Sequence, residues 1–231
     1  MNHARSEGTI LVWDFPTRAF HWMLAISFLV AYVTSESETW FGIHLMSGVT
    51  LVGLIVFRLF WGLVGTRHAR FGALRVAPAA VLRYLKSLLG SAPEHHVGHN
   101  PAGSVAILLL LGLGLGAGLT GLSLYYELGG EWLKDIHEFC ANALLAVVLI
   151  HIAGVVVSSF LHRENLARAM VNGYKKGGPG DAAGRAHRGV AMLLVAAVIA
   201  WWASYALGVV TVDVPAIMQE KHDGHEGYDH D

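Results

Sequence analysis

Charged residues and cysteines are both scarce in this sequence. Asp, Glu, Lys and Arg form 14% of the 231 residues, whereas soluble domains have about 25%. Cys140 is the single cysteine, which excludes an internal disulfide and a C-x-x-C-H site for covalent haem attachment. The stretch MNHARSEGTILVWDFPTR lacks the basic, apolar and small-residue order of a cleaved signal peptide. We therefore expect the first apolar segment to remain in place as a membrane anchor.

Long apolar runs are abundant instead. The chain is 54% hydrophobic, and several runs approach the roughly 20 residues that a helix needs to cross a bilayer. Because the runs are unbroken rather than alternating, they predict spanning helices and not barrel strands. We predict an all-α integral membrane protein with five spans. These cover approximately residues 18–34, 43–64, 102–126, 132–161 and 188–210.

A shorter segment between the second and third spans is amphipathic. In RVAPAAVLRYLKSLLG, apolar and basic residues recur at helical spacing. Pro78 suits the first turn of a helix and Gly90 suits its end. The pattern predicts a helix over residues 78–90 that lies on the membrane surface.

Basic residues concentrate in alternate loops. They lie in the N-terminal segment and in the second-to-third and fourth-to-fifth loops: Arg5, Arg18, Arg67, Arg70, Arg75, Arg83, Lys86, Arg163, Arg168, Lys175, Lys176, Arg185 and Arg188. The opposite side holds only Lys134 and Lys221 and is otherwise acidic. By the positive-inside rule, we predict that the N-terminus is cytoplasmic and that the C-terminus lies outside.

We expect three regions along the chain: a core over residues 1–175, a loop and fifth span over 176–210, and a tail over 211–231. The tail sequence KHDGHEGYDHD is polar and glycine-rich, which predicts disorder when it is alone. Its histidines and carboxylates could form a weak Ni, Zn or Cu site, although a solvated acidic tail is the simpler interpretation. The GLGLGAGLTG run in the third span fits either tight helix packing or close approach of a flat cofactor.

Four histidines fall within the predicted spans, where ionisable groups are costly and usually functional. His21 lies near the cytoplasmic end of the first span, and His44 lies near the outer end of the second. The fourth span starts outside, so His137 is near the outer surface and His151, fourteen residues on, is about 21 Å deeper. Depth therefore matches His44 with His137, here called the outer pair, and His21 with His151, the inner pair.

His137 and His151 also share one face of their helix. Fourteen residues at about 100° each end within about 40° of four full turns. Imidazole nitrogen is a good axial ligand for haem iron, and helix bundles commonly hold cofactors in their cores. A lone histidine could be an interfacial residue or a hydrogen-bond partner between helices, but four that match in depth predict two bis-histidine haems. A zinc protease helix of the H-E-x-x-H type is excluded because Ala141 replaces its second histidine.

Several segments occur together in an order found in one known family. They are VWDFPTRAFHW, GIHLMSG, GHNPAG, and HEFCANALLAVVLIHIAGV followed by HRENLARAM. Over about residues 10–175 the chain resembles the prokaryotic cytochrome b561 family, which includes the b-type cytochrome subunits of nickel–iron hydrogenases. The resemblance implies a four-helix transmembrane bundle that holds two haems b at His21, His44, His137 and His151. This chain adds a fifth C-terminal transmembrane helix and the tail.

The same resemblance implies electron transfer across the membrane between quinone and a redox partner. We expect the outer haem to serve a periplasmic c-type cytochrome or hydrogenase-like protein, because an acidic face attracts basic carriers. Quinone is expected at the cytoplasmic edge, and each candidate there could equally be an ordinary interfacial anchor. The candidates are Trp13, Asp14, Arg18, His99, Asn100, Arg163 and Glu164. Arg18 and Arg163 could instead contact haem propionates, since the forked guanidinium suits carboxylates.

An alternative function is that of a stand-alone superoxide:ubiquinone oxidoreductase, an activity that the family includes. The acidic outer side argues against it, because superoxide is an anion. A third alternative is a haem-poor scaffold whose tail binds metal. Membrane lipid is an expected partner and a homo-oligomer is possible, whereas no nucleic-acid partner is expected.

Overall fold

The computed structural model describes residues 8–90 and 93–213, and within these ranges it is mostly helical. The helices are α1 (Phe15–Val33), α2 (Phe41–Val64), α3 (Pro78–Leu88), α4 (Pro101–Tyr125), α5 (Trp132–His162), α6 (Leu166–Asn172) and α7 (Arg188–Ala206). Two short strands, β1 (Gly8–Leu11) and β2 (Tyr174–Gly177), form an antiparallel pair. The tail histidines His222, His225 and His230 lie outside the described residues.

Four of the described helices are long and apolar enough to cross a membrane, namely α2, α4, α5 and α7. The multi-pass membrane architecture predicted from the apolar runs is therefore confirmed. Helix α1 is not among the four, because its first two turns carry Thr17, Arg18 and His21. That α1 also crosses the membrane stays a prediction.

Local sequence signals fix where the helices begin. Asp14 caps α1 by accepting a hydrogen bond from the backbone N–H of Thr17 at 2.8 Å, and Pro16 fits the first turn, where no N–H is needed. Asn100 caps α4 in the same way through the N–H of Gly103 at 2.7 Å. Both caps hold the start of a helix at the end of the bundle that carries most basic residues, which we call the basic end.

The helices pack in a bundle around α2. Helix α2 lies between α1 and α4, and α5 lies along α4. Helix α7 packs against α1 and also contacts α2, where Trp202 Nε1 donates a hydrogen bond to Thr50 Oγ1 at 3.2 Å. The apolar core joins α1, α2 and α4 through Phe20, Leu54, Ile55 and Leu111. Many apolar side chains of α5 and α7 point outward instead, and Phe160 is 81% exposed. An outward apolar surface is what contact with lipid requires.

The glycines of α4 serve helix packing. A Cβ on Gly114 would meet Ile55 Cδ1 of α2 at 2.8 Å, and one on Gly116 would meet Cys140 Sγ of α5 at 3.1 Å. Glycine thus lets α4 approach both of its neighbours closely.

Helix α3 begins at Pro78, as predicted for the amphipathic segment, but ends at Leu88, two residues before the predicted end. It presents three faces. Tyr84 is buried at 1% exposure, while Leu82 and Leu89 are exposed apolar side chains and Lys86 is an exposed cation. The Tyr84 hydroxyl lies 3.2 Å from Ser158 Oγ of α5 and accepts a hydrogen bond from Asn100 Nδ2 at 2.9 Å. These bonds attach α3 to the basic end of the bundle. Its place on the membrane surface stays a prediction.

The strand pair was not anticipated from the sequence. It pairs Gly8 with Gly177 and Leu11 with Tyr174, and beside it Val12, Trp13 and Ala169 form a small buried cluster. Each strand has only four residues, too few for alternation to be a signal. The pair ties the segment before α1 to the segment after α6, and thus closes the basic end.

Candidate functional site

The outer pair comes together at the end of the bundle opposite the basic end. His44 belongs to the first turn of α2, and His137 lies two turns into α5. Their ring centres are 6.2 Å apart, with an interplanar angle of 74°. Both side chains are half-buried. The structure therefore brings together two histidines that the sequence matched by depth alone.

Backbone carbonyls orient both rings of the outer pair. His44 Nδ1 lies 2.8 Å from the Ala31 carbonyl of α1, and His137 Nδ1 lies 2.8 Å from the Ala117 carbonyl of α4. Since a carbonyl oxygen can only accept, each Nδ1 carries the proton and donates it. The neutral ring then has its lone pair on Nε2. Metal-binding histidines are typically held in this tautomer by such a bond.

The separation of the outer pair suits a shared metal ion. Two imidazoles that bind one ion through nitrogen, at about 2 Å on each side, have ring centres roughly 6 Å apart. The observed 6.2 Å agrees with this geometry. Among the described residues, no group of three or more His, Cys, Asp or Glu side chains could hold a metal ion. The pair thus fits a metal whose other ligands come from a cofactor, as in a haem with two histidine ligands.

Glycines leave room beside the outer pair. A Cβ on Gly121 of α4 would lie 2.8 Å from His137 Cε1, so glycine is needed there for the ring to hold its position. Beside His44, Gly48 is one turn further along α2, and a Cβ there would meet nothing within 4 Å. Open space next to an axial ligand is what a flat macrocycle requires.

The inner pair lies toward the basic end. His21 is on α1 and His151 is on α5, close enough for His151 to act on His21 electrostatically. His21 Nδ1 is buried without a hydrogen-bond partner, so this nitrogen is available to a further group. A Cβ on Gly154, three residues after His151, would meet nothing within 4 Å. These residues could hold a second haem.

The two predicted propionate contacts lie in different surroundings. Arg18 is buried, with its guanidinium 4.1 Å from the centre of the Phe15 ring, and it donates a hydrogen bond to the Val171 carbonyl. Its Nε is buried without a partner, so it retains a donor for an anion. Arg163 ends α5 in the left-handed conformation, with φ of 50°, and its side chain is exposed. Of the two, Arg18 is the one placed within the bundle.

Trp13 and His99 are the quinone candidates that pack together. Their ring centres are 4.5 Å apart. Burial, followed by the charges of Arg58, His68 and Lys175, lowers the pKa of His99 to about 3. His99 is therefore neutral at physiological pH. Part of its surface stays accessible, so the ring can still hydrogen-bond to a ligand.

Three other candidates are engaged in the protein's own structure. Asp14 caps α1 and also accepts hydrogen bonds from Trp61 Nε1 at 3.1 Å and Thr66 Oγ1 at 2.7 Å. Asn100 caps α4 and donates to Tyr84. Glu164 lies 3.6 Å from Lys175 Nζ. Their contacts give each of them a role in holding the basic end together.

Arg58 was missed in the sequence as a candidate. It lies near the basic end of α2, is only 3% exposed, and has an Nη1 without a hydrogen-bond partner. The spacing from His44 could have revealed it, because Arg58 follows His44 by the same fourteen residues that separate His137 from His151.

Comparisons with known proteins identify related sequences. The family model described as prokaryotic cytochrome b561 matches residues 12–173. The chain is 26% identical over 220 residues to a probable Ni/Fe-hydrogenase B-type cytochrome subunit of Azotobacter chroococcum mcd 1, with 74% of this chain and 90% of that protein covered. Proteins of the same description from Rhodobacter capsulatus and Cupriavidus necator are 23% and 22% identical, with 74% of this chain and 83% and 88% of theirs covered. No solved structure matches the chain.

Proposed function

Because the chain belongs to the prokaryotic cytochrome b561 family, we propose that it is a di-haem b-type cytochrome carrying electrons between the quinone pool and a periplasmic redox partner. Membership makes it a multi-pass membrane b-type cytochrome that acts in electron transfer. The number of haems, the quinone and the partner are parts of the proposal. The observation that supports it most is the geometry of the outer pair, with ring centres 6.2 Å apart.

In the proposal, four histidines hold the two haems. His44 and His137 hold the outer one, and His21 and His151 hold the inner one. When bound, each haem supplies an iron that gains and loses one electron. The Ala31 and Ala117 carbonyls keep the outer rings in the tautomer that binds metal. Helix α5 carries one ligand of each pair at two depths, about 21 Å apart by helix rise, so it sets the spacing of the two electron-transfer centres.

Quinone is proposed to react at the basic end. Quinone chemistry moves protons together with electrons, and so it needs hydrogen-bonding groups beside the reacting oxygen. His99 is neutral, part-accessible and close enough to His151 to be influenced by its charge. It is therefore the side chain best placed to donate or accept a hydrogen bond at a quinone next to the inner pair. Trp13 packs against it and would hold its ring in place.

The partner is proposed to dock at the opposite, acidic end. Exposed carboxylates of the described residues there include Glu36, Glu38, Glu127 and Glu131. Lys134 is the one described lysine or arginine at this end, and it lies 3.9 Å from Glu138. A basic redox protein would be steered to this surface. The relatives named as hydrogenase cytochrome subunits support a hydrogenase-like partner. An anionic substrate such as superoxide would be repelled, which disfavours the alternative activity.

Orientation and location complete the proposal. The basic end would face the cytoplasm and the acidic end the periplasm of the bacterial inner membrane, following the positive-inside rule. This requires an odd number of crossings before the periplasmic tail, so α1 would span the membrane with the four more apolar helices.

Stopped-flow spectroscopy on proteoliposomes tests the proposal. A quinol should reduce the haem of the protein, and a basic c-type cytochrome should then reoxidise it, with both steps followed by haem absorbance. The rate of reoxidation should fall steeply as salt screens the charges. His151→Ala serves as the control that interrupts the inner site. Failure of the quinol to reduce any haem, or reduction by superoxide near the diffusion limit, would refute the proposed electron transfer between quinone and a periplasmic partner.

A further inference from the structure

A buried arginine in α2 has an unpaired donor at the depth of the inner pair. Arg58 is 3% exposed, and its Nη1 has no hydrogen-bond partner. A charged group inside a membrane helix is costly and is tolerated where it pairs with another charge. A buried donor left unsatisfied adds a further desolvation cost, which is larger when the donor is charged. Within the described residues, an anion beside this guanidinium would therefore satisfy both its charge and its unpaired donor.

The protein's own carboxylates do not meet that need. Asp14 is close enough to act on Arg58 electrostatically, but its two oxygens already accept hydrogen bonds from Thr17, Trp61 and Thr66. Within residues 8–90 and 93–213, no carboxylate forms a salt bridge with Arg58. The aromatic ring of Phe71, with its centre 5.1 Å from the guanidinium carbon, covers another side of the group.

Helix geometry places Arg58 on nearly the same face of α2 as His44, at the depth of the inner pair. It follows His44 by fourteen residues, which returns the helix to within about 40° of the same face and lowers the position by about 21 Å. On α5, the same step leads from His137 to His151. Helix α2 thus carries His44 at the depth of the outer pair and Arg58 at the depth of the inner pair, on nearly the same face. Arg58 also influences His99 together with His151, so all three lie in one region.

We propose that Arg58 is the counter-ion of a propionate carboxylate of the inner haem. The inference rests on the proposed function, because it requires a haem at His21 and His151. Guanidinium and carboxylate match in charge and in forked geometry, and the low dielectric of the bundle strengthens the pairing. Arg18, whose Nε is also without a partner, is a second donor at the basic end, and like Arg58 it lies close enough to Asp14 to interact with it electrostatically. Arg163 is exposed and is not needed for this site.

Variants of Arg58 test the assignment on the purified full-length protein. Haem b is quantified per chain, and redox-difference infrared spectra are recorded after labelling the propionates with carbon-13. Arg58→Gln should lower the content from about two haems to about one, and the lost haem should be the one that His151→Ala removes. Arg58→Lys keeps the charge but not the fork, so it should retain two haems and shift the labelled carboxylate bands of one. Arg67→Gln, an exposed arginine near the same end with 59% side-chain exposure, should change neither measurement.

The outcomes separate this inference from the proposed function. A wild-type protein without two haems would refute the di-haem proposal itself. Two haems in the wild type, with unchanged content in Arg58→Gln and unchanged propionate bands in both Arg58 variants, would refute the role of Arg58 alone. Loss of quinol oxidation with unaltered haem content and bands would also overturn it, because Arg58 would then serve the quinone. If Arg58→Gln does not fold, the carboxylate bands of Arg58→Lys decide.

Discussion

The ring centres of His44 and His137 lie 6.2 Å apart, and each ring is fixed through its Nδ1 by a carbonyl of a different helix. Four helices therefore contribute to the outer pair: α2 and α5 supply the histidines, while α1 and α4 supply the carbonyls. A histidine pair held by the backbone does not depend on flexible side chains for its orientation. In the proposed haem site, such preorganisation would favour rapid electron transfer, because the histidines would not rearrange when the iron changes its charge.

Removing one ligand from each pair should remove one haem at a time. His151→Ala is expected to lose the inner haem and keep the outer one, and His137→Ala is expected to do the reverse. The reason is that α5 contributes a separate ligand at each depth. Haem content per chain and the reduced-minus-oxidised spectrum check this. Equal loss of both haems from each variant would show that the two sites are not independent.

Gly121 should be required for the outer haem. In Gly121→Ala, the new methyl group would lie 2.8 Å from His137 Cε1, so the ring would have to move away from the Ala117 carbonyl. We expect a shifted spectrum and at least a tenfold weaker retention of the outer haem, as for loss of an orienting contact around a metal ligand. Gly112→Ala on the same helix is the matched control, because a Cβ there meets nothing within 4 Å. If both variants behave alike, the close packing against His137 is unimportant.

Asp14 should contribute strongly to stability. Asp14→Ala removes the cap of α1 and leaves the donors of Trp61 and Thr66 without their partner. We expect a loss of about 3 kcal/mol in the free energy of unfolding, from the loss of the cap and of buried hydrogen bonds. Thermal unfolding in detergent measures it. Asp181→Ala alters an exposed carboxylate near the same end, with 43% side-chain exposure, and should cost less than about 1 kcal/mol.

The pair formed by the half-buried Glu164 and the buried Lys175 should make the basic end sensitive to acid. Burial raises the pKa of Glu164, but the Lys176 N–H, the Lys175 charge and His95 outweigh it, so the pKa is lowered overall. Because an unfolded glutamate has a pKa of about 4.3, the stabilisation is complete above about pH 4.3 and is lost as the pH falls through the lower folded value. The protection factors of the β1–β2 amides against hydrogen exchange, which are corrected for the intrinsic pH dependence of exchange, should therefore fall below about pH 4.3.

The partner variant tests the same pair at neutral pH. Burial lowers the pKa of Lys175, and Glu164 offsets this only in part. Glu164→Gln leaves that ammonium buried without its partner and should cost about 3 kcal/mol. Adding Lys175→Met should recover most of the loss. A double variant as unstable as the single one would mean that the unpaired charge is not the cause.

Features that depend on local sequence pattern could be predicted from the sequence. The bounds of α4 and α5, the amphipathic α3 and the matching depths of four histidines all follow from hydropathy and helical spacing, because these signals lie within single segments. The pairing of β1 with β2 and the contacts of Asp14 with Trp61 and Thr66 join segments that are distant in the chain. In the sequence, Arg58 is marked only by its fourteen-residue spacing from His44. Its burial and its unpaired Nη1 distinguish it from a residue that reaches the membrane interface.

Haem quantification on the purified wild-type protein tests the central claim most directly. A pyridine haemochrome assay combined with a dithionite-reduced minus oxidised spectrum gives both the type and the number of haems per chain. We predict two haems b per chain, one for each histidine pair. A content of one or none in fully folded protein would contradict the assignment of His21, His44, His137 and His151 as axial ligands.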